Sequence, residues 1–173
     1  MALDRRFVEA WAGRYVQYMG PVESRLLDEV GPHVRQQGHY TREDLAAVGD
    51  WKSVRIRSRL ASNSDEDIRD ISSMAFAAPE RFQHSVLTLL RGVQVRAASA
   101  LLTVWDPTRH TVMDVRSLNA LYDWGEIEST SMPYPEYLAV CRSIVDRLAT
   151  DLRSLDRALW RWDKDGRPAD VPA

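Results

Sequence analysis

The spacing of apolar residues constrains this chain most. Steps of three and four recur from end to end, and no stretch alternates apolar and polar residues long enough for a half-buried strand. An all-α fold follows. Phe7, Trp11, Tyr15 and Met19 mark one face of a first helix ended by Gly20-Pro21, and Val22, Leu26, Leu27 and Val30 mark a second ended by Gly31-Pro32. Thr41, with Asp44 three residues on, opens a short helix over 45–48, Asp50 caps one over 51–60, and Ser64 with Asp67 opens one over 68–76. Pro79 starts a helix reaching Leu90. Later helices are expected over 97–105, from Asp114 to Gly125 with Leu118 and Leu121 inward, and over 137–148 and 152–162.

At 173 residues with 45% apolar composition the chain can bury a real core. The expected organisation is a single helical domain over 1–163, in which lobe A comprises 1–38 and 114–163 and lobe B about 39–113, followed by a flexible tail over 164–173. No apolar run approaches the roughly 18 residues of a membrane span. Asp4, Arg5, Arg6 and Glu9 occupy the place of a secretory signal's apolar stretch, so a cytoplasmic protein without a membrane partner is expected. The single cysteine, Cys141, excludes an intrachain disulfide and any four-cysteine metal cluster.

A net charge of −2 excludes nucleic-acid binding by bulk charge. The distribution is uneven. Residues 51–60 carry Lys52, Arg55, Arg57 and Arg59 with no acid, and residues 91–116 carry Arg91, Arg96, Arg109 and Arg116 against Asp106 and Asp114. An otherwise acidic body with two basic segments can bind phosphates through a local footprint, although a solvated helix face accounts for the same charges.

The stretch that carries chemistry is 89–121, LLRGVQVRAASALLTVWDPTRHTVMDVRSLNAL: an apolar helix end, a Gly turn, a helix rich in small residues, a Pro-broken loop, and an aspartate opening a further helix. Free amides at the second helix's start can accept a phosphate, and an ordinary αα-hairpin reads the same way. Leu90-Arg91-Gly92-Val93, the helix over 97–102 and Val112-Met113-Asp114-Val115 together resemble the helix-hairpin-helix DNA glycosylases, the superfamily of endonuclease III and of the adenine and alkylbase glycosylases.

That resemblance implies a two-lobed helical globule with the hairpin near 89–105, acting as a monomer on duplex DNA with neither metal nor organic cofactor. It makes Asp114 the catalytic carboxylate, stabilising the glycosyl cation that forms as the base leaves and orienting water. As an isolated residue Asp114 is simply a helix cap. Gln94 stands where the hairpin has its second glycine, so its backbone must avoid positive φ or bear a cost there. Arg96 stands where lyase-competent relatives carry lysine. Arginine forms no imine, which implies a monofunctional enzyme with Lys52 as the one credible alternative nucleophile.

The DNA-contacting set implied is Arg91, Gly92, Val93, Gln94 and Arg96 with Lys52, Arg55, Arg59 and Arg116, the last being either a phosphate contact or a salt bridge. Aromatic walls for a flipped base are sought among Trp51, Trp105, Tyr122 and Trp124, at least half of which are expected to be core, while Trp11, Trp160 and Trp162 are packing residues. The implied reaction is excision of a damaged or modified base, in repair or against modified phage DNA. A non-catalytic hairpin protein that binds or scaffolds DNA is the other reading.

Overall fold

The computed structural model describes residues 3–169, among which there are helices and no strand. In chain order the helices are α1 (Arg5–Arg25), α2 (Gly31–Gln37), α3 (Arg42–Lys52), α4 (Arg57–Ala61), α5 (Asp65–Ala77), α6 (Glu80–Leu87), α7 (Val95–Trp105), α8 (Val115–Asp123), α9 (Tyr134–Leu148) and α10 (Leu152–Lys164). Local side-chain chemistry sets several starts. Thr41 and Asp44 form a complete capping box on α3, and the side chains of Ser64, Asp114 and Asp151 each accept an amide at the starts of α5, α8 and α10.

Three expectations are corrected. Gly20-Pro21 does not end the first helix: α1 runs through it to Arg25 and passes into a π-turn over Leu26–Val30, which leads directly into α2. The wider turn suits Pro32, whose ring would press on the carbonyl four residues back in an unbroken α-helix. Asp50 lies inside α3 and starts nothing. It pairs with Arg57 at 2.7 Å, and the break comes at Ser53, whose extended backbone leads through a 3₁₀ turn, Val54–Ile56, into α4. Residues 164–169 are no loose tail. The Trp162 indole N–H donates to the Pro168 carbonyl at 3.0 Å, and Arg167 pairs with Asp163 and Asp123; residues 170–173 lie outside the described ones.

The chain divides into two compact units, one comprising the chain up to Pro21 with that from Thr108 onward, the other Val22–Pro107. The divisions therefore fall at 21/22 and 107/108 rather than at 38/39 and 113/114. Residues 31–37 belong with the second unit because α2 packs on α7, with Gly31 against the Val104 carbonyl and Arg35 donating to the Trp105 carbonyl. Residues 108–113 belong with the first because α9 holds them: Tyr134 donates its hydroxyl to the Thr111 carbonyl at 3.2 Å and Tyr137 to that of Val112 at 3.0 Å.

Candidate functional site

Within Val22–Pro107, α6 passes to α7 through a turn over 88–94. Leu87, Leu90 and Val93 are buried and pin it from inside. Gly92 has φ +86°, and a β-carbon there would lie 2.8 Å from Arg59 Cβ and 3.2 Å from the Leu60 nitrogen, so left-handed backbone and close approach both require glycine. Gln94 takes the first of its two options. Its φ of −106° and ψ of 175° are ordinary extended backbone, and it precedes α7 without a side-chain cap. A shallow open hollow at this point is lined by Thr88, Val93, Gln94, Val95 and Arg96.

The turn is fastened to α4 by one buried amide, Asn63. Its Nδ2 donates to the Leu60 carbonyl at 2.9 Å and the Arg91 carbonyl at 3.0 Å, while its Oδ1 accepts the Arg91 N–H at 2.8 Å. This ties the basic segment 55–60 to the Gly92 turn. Arg55, Arg59, Arg91 and Arg96 are all exposed, and among the described residues none has an acidic partner. Neighbouring arginines differ: Arg57 pairs with Asp50 at 2.7 Å and Arg42 with Asp65 at 2.7 Å. Lys52, half-buried, lines a small apolar cavity with Leu60, Val93 and Ala97, beside the same turn.

Asp114 lies in the other unit. The two tyrosine hydroxyls of α9 hold the extended segment before it, Val112 and Met113 are buried, and half-buried Asp114 accepts the Arg116 N–H on Oδ1 at 3.0 Å. One turn into α8, Ser117 donates to Asp156 at 3.1 Å, and Asp156 pairs with Arg153 in the interior. Nearby, burial pushes the Cys141 thiol up to about 12 and the Tyr137 hydroxyl well above its usual range, so neither supplies an anion at neutral pH. His110 is fully buried, with Nδ1 3.3 Å from the Tyr134 hydroxyl. Arg116 forms a salt bridge: its guanidinium is 2.9 Å from Asp163 and lies over the Trp160 ring.

The aromatic candidates separate. Trp124, half-buried, packs edge-on to Phe7 at 5.2 Å and against Trp162 at 5.1 Å, and so joins an aromatic cluster with the buried Trp162; Trp11 is buried as well. Tyr122 is 53% exposed, but it stands eight residues beyond Asp114 on the same helix, about 12 Å along the axis. Trp51 and Trp105, both half-buried, belong to Val22–Pro107, and Trp105 stacks on Phe76 at 4.3 Å. Sequence reasoning missed Asn63, Tyr134 and Tyr137. Asn63 left no signal because the partner that gives it its role, Arg91, is 28 residues away, whereas the tyrosines' place in the first turn of α9 was the one available hint.

Compared with protein-family models, with curated proteins and with solved structures, the chain matches none. Among the described residues no group of three or more His, Cys, Asp or Glu side chains could hold a metal ion, and no helix is long and apolar enough to cross a membrane.

Proposed function

We propose that the protein is a monofunctional DNA glycosylase that flips a damaged or modified base out of the duplex and hydrolyses its N-glycosidic bond. The observation that carries this reading is the set of four exposed arginines without acidic partners around the Gly92 turn, in a chain whose other arginines are mostly paired. Guanidinium groups left unpaired at one place are available to a polyanion, and such contacts position a duplex without reading its bases.

Asp114 supplies the chemistry. As the bond from C1′ to the base nitrogen breaks, positive charge grows on the sugar, and a fixed carboxylate stabilises it. Water then attacks C1′, gives its proton to the carboxylate and leaves a hydroxyl on an abasic sugar; solvent protonates the departing base and the carboxyl group returns its proton to solvent, so that one water is added across the broken bond. The segment held by Tyr134 and Tyr137 keeps that carboxylate in one place.

A second reading, a DNA-binding protein without catalysis, is favoured by one contact: the Asp114 carboxylate already caps α8 through the Arg116 amide. Duplexes carrying one oxidised, alkylated, deaminated or hypermodified base each, incubated with the protein and then treated with hot alkali, separate the two. Strand breaks at the modified base, with the free base found by mass spectrometry, are expected of the enzyme. Intact strands across the panel, with binding retained, would establish the binder. Borohydride should trap no covalent complex, since Arg96 cannot form an imine; an adduct abolished by Lys52→Ala would make the protein a lyase as well.

A further inference from the structure

Asn63 is 5% exposed and touches none of the chemistry described above, yet it saturates a joint between two charged segments. A primary amide has one carbonyl oxygen and two N–H donors. Here the oxygen takes the Arg91 N–H, and the nitrogen serves the carbonyls of Leu60 and Arg91. Asn63 is itself held in place, because Arg42 donates to the Asn63 carbonyl at 2.8 Å and to the Ala61 carbonyl at 3.0 Å. Gly92 completes the joint: lacking a β-carbon, it lets the turn close onto Arg59 and Leu60.

Beyond the joint stand the unpaired arginines, Arg55 and Arg59 on the α4 side and Arg91 and Arg96 on the turn side. Phosphates along a nucleic-acid strand sit at fixed intervals, so two guanidinium groups on separate segments engage neighbouring phosphates together only if the segments keep one spacing. Otherwise each contact must meet its own ordering cost. We propose that Asn63 is a positioning residue that locks Arg59 and Arg91 into a single phosphate-contacting surface. The proposal rests on the DNA-binding reading above and concerns how that surface is made.

The test is a salt titration of duplex affinity for the full chain and for Arg59→Gln, Arg91→Gln and Asn63→Ala. Each arginine variant should lower the log–log slope by about 0.9, one contact, and Asn63→Ala, which changes no charge, should lower it by about as much, because only one of the two guanidinium groups then stays in register with a phosphate, with the helical circular dichroism unchanged. A wild-type slope in Asn63→Ala, with the arginine variants flattened, would overturn the positioning role and leave DNA binding standing. Absence of salt-dependent affinity in the wild-type chain would remove both. Should Asn63→Ala lose its helical signal, amide exchange in the wild-type chain decides: protection of the Arg91 N–H comparable to that of the α7 interior supports the clamp, and exchange at the rate of an open amide overturns it.

Discussion

The unit Val22–Pro107 and the unit built from the two ends of the chain hold themselves together by different means. In Val22–Pro107 several of the closest contacts involve backbone: Gly31 against the Val104 carbonyl, Gly92 against α4, the Tyr40 hydroxyl on the Leu101 carbonyl at 2.8 Å, and the Asn63 amide between two segments. In the other unit they are made by large side chains and ion pairs. Phe7, Trp124 and Trp162 form one aromatic cluster, and Arg153–Asp156, Arg116–Asp163 and Arg167–Asp123 take up charge internally. The difference bears on function. Arg42 and Arg57 are paired with acids in Val22–Pro107 too, but the joint at Gly92 is closed by backbone and one amide, so the arginines beside it remain available to a polyanionic partner; in the other unit Arg116, Arg153 and Arg167 are spent on the fold.

The largest effect should come at Asp114, which serves the fold as a cap and, in the proposed reaction, the sugar cation as a counter-charge. Asparagine caps a helix as well as aspartate does but carries no charge. Asp114→Asn should therefore lower single-turnover excision by roughly a hundred- to a thousandfold while the melting temperature holds. Unchanged excision would reduce Asp114 to its structural role, and both units would then be scaffold.

What was legible in the sequence divides along the same line. The capping box at Thr41 and the caps at Ser64 and Asp114 could be read because donor and acceptor lie within four residues of each other. The helix through Gly20-Pro21 could not, since a Gly-Pro pair reads locally as a helix end whereas Pro21 is held inside α1 here. At the candidate site the Gly92 turn and its arginines were visible. The fate of Arg116 was not, because Asp163 lies 47 residues further on, and the inward face of Trp124 depends on Phe7.

The next effect tests the close approach of backbone directly. A β-carbon at Gly31 would collide with the Val104 carbonyl, an atom of the α7 backbone that cannot swing aside, so Gly31→Ala should destabilise by about 2–3 kcal/mol through overpacking. Gly13, in α1, has nothing within 4 Å of such a β-carbon, and Gly13→Ala should stabilise by up to about 1 kcal/mol through helix propensity. Urea unfolding of the two variants compares the units; equal effects of one sign would erase the contrast.

A smaller effect follows from buried acids. Unfolded, the Cys141 thiol ionises near its usual 9, whereas folded it keeps its proton to about 12. Above pH 9 the folded state therefore binds more protons than the unfolded one, and stability falls as pH rises, by up to about 1.4 kcal/mol per pH unit. Tyr137, in the same unit, and Tyr40, in Val22–Pro107, join in only above their usual 10. Thermal melts at pH 9 and 10 should show this slope in the wild-type chain and a shallower one in Cys141→Ala. A slope unchanged by the substitution would place the alkaline weakness elsewhere.

The smallest effect addresses the arginines. Arg96 is exposed on the first turn of α7, and Arg96→Gln should lose one phosphate contact, so that raising salt from 50 to 200 mM weakens DNA binding about 3.5-fold less than in the wild-type chain. Arg116→Gln removes the same charge from the chain. Its guanidinium, however, is committed to Asp163, a carboxylate only 6% exposed that Arg167 also contacts. The salt dependence should therefore stay at the wild-type value, while stability falls by about 1 kcal/mol because a buried carboxylate keeps one partner of two. If Arg116→Gln flattened the salt dependence as much as Arg96→Gln, pairing would not decide which arginines meet the duplex. The contact surface would then have to include the helix that Asp114 opens.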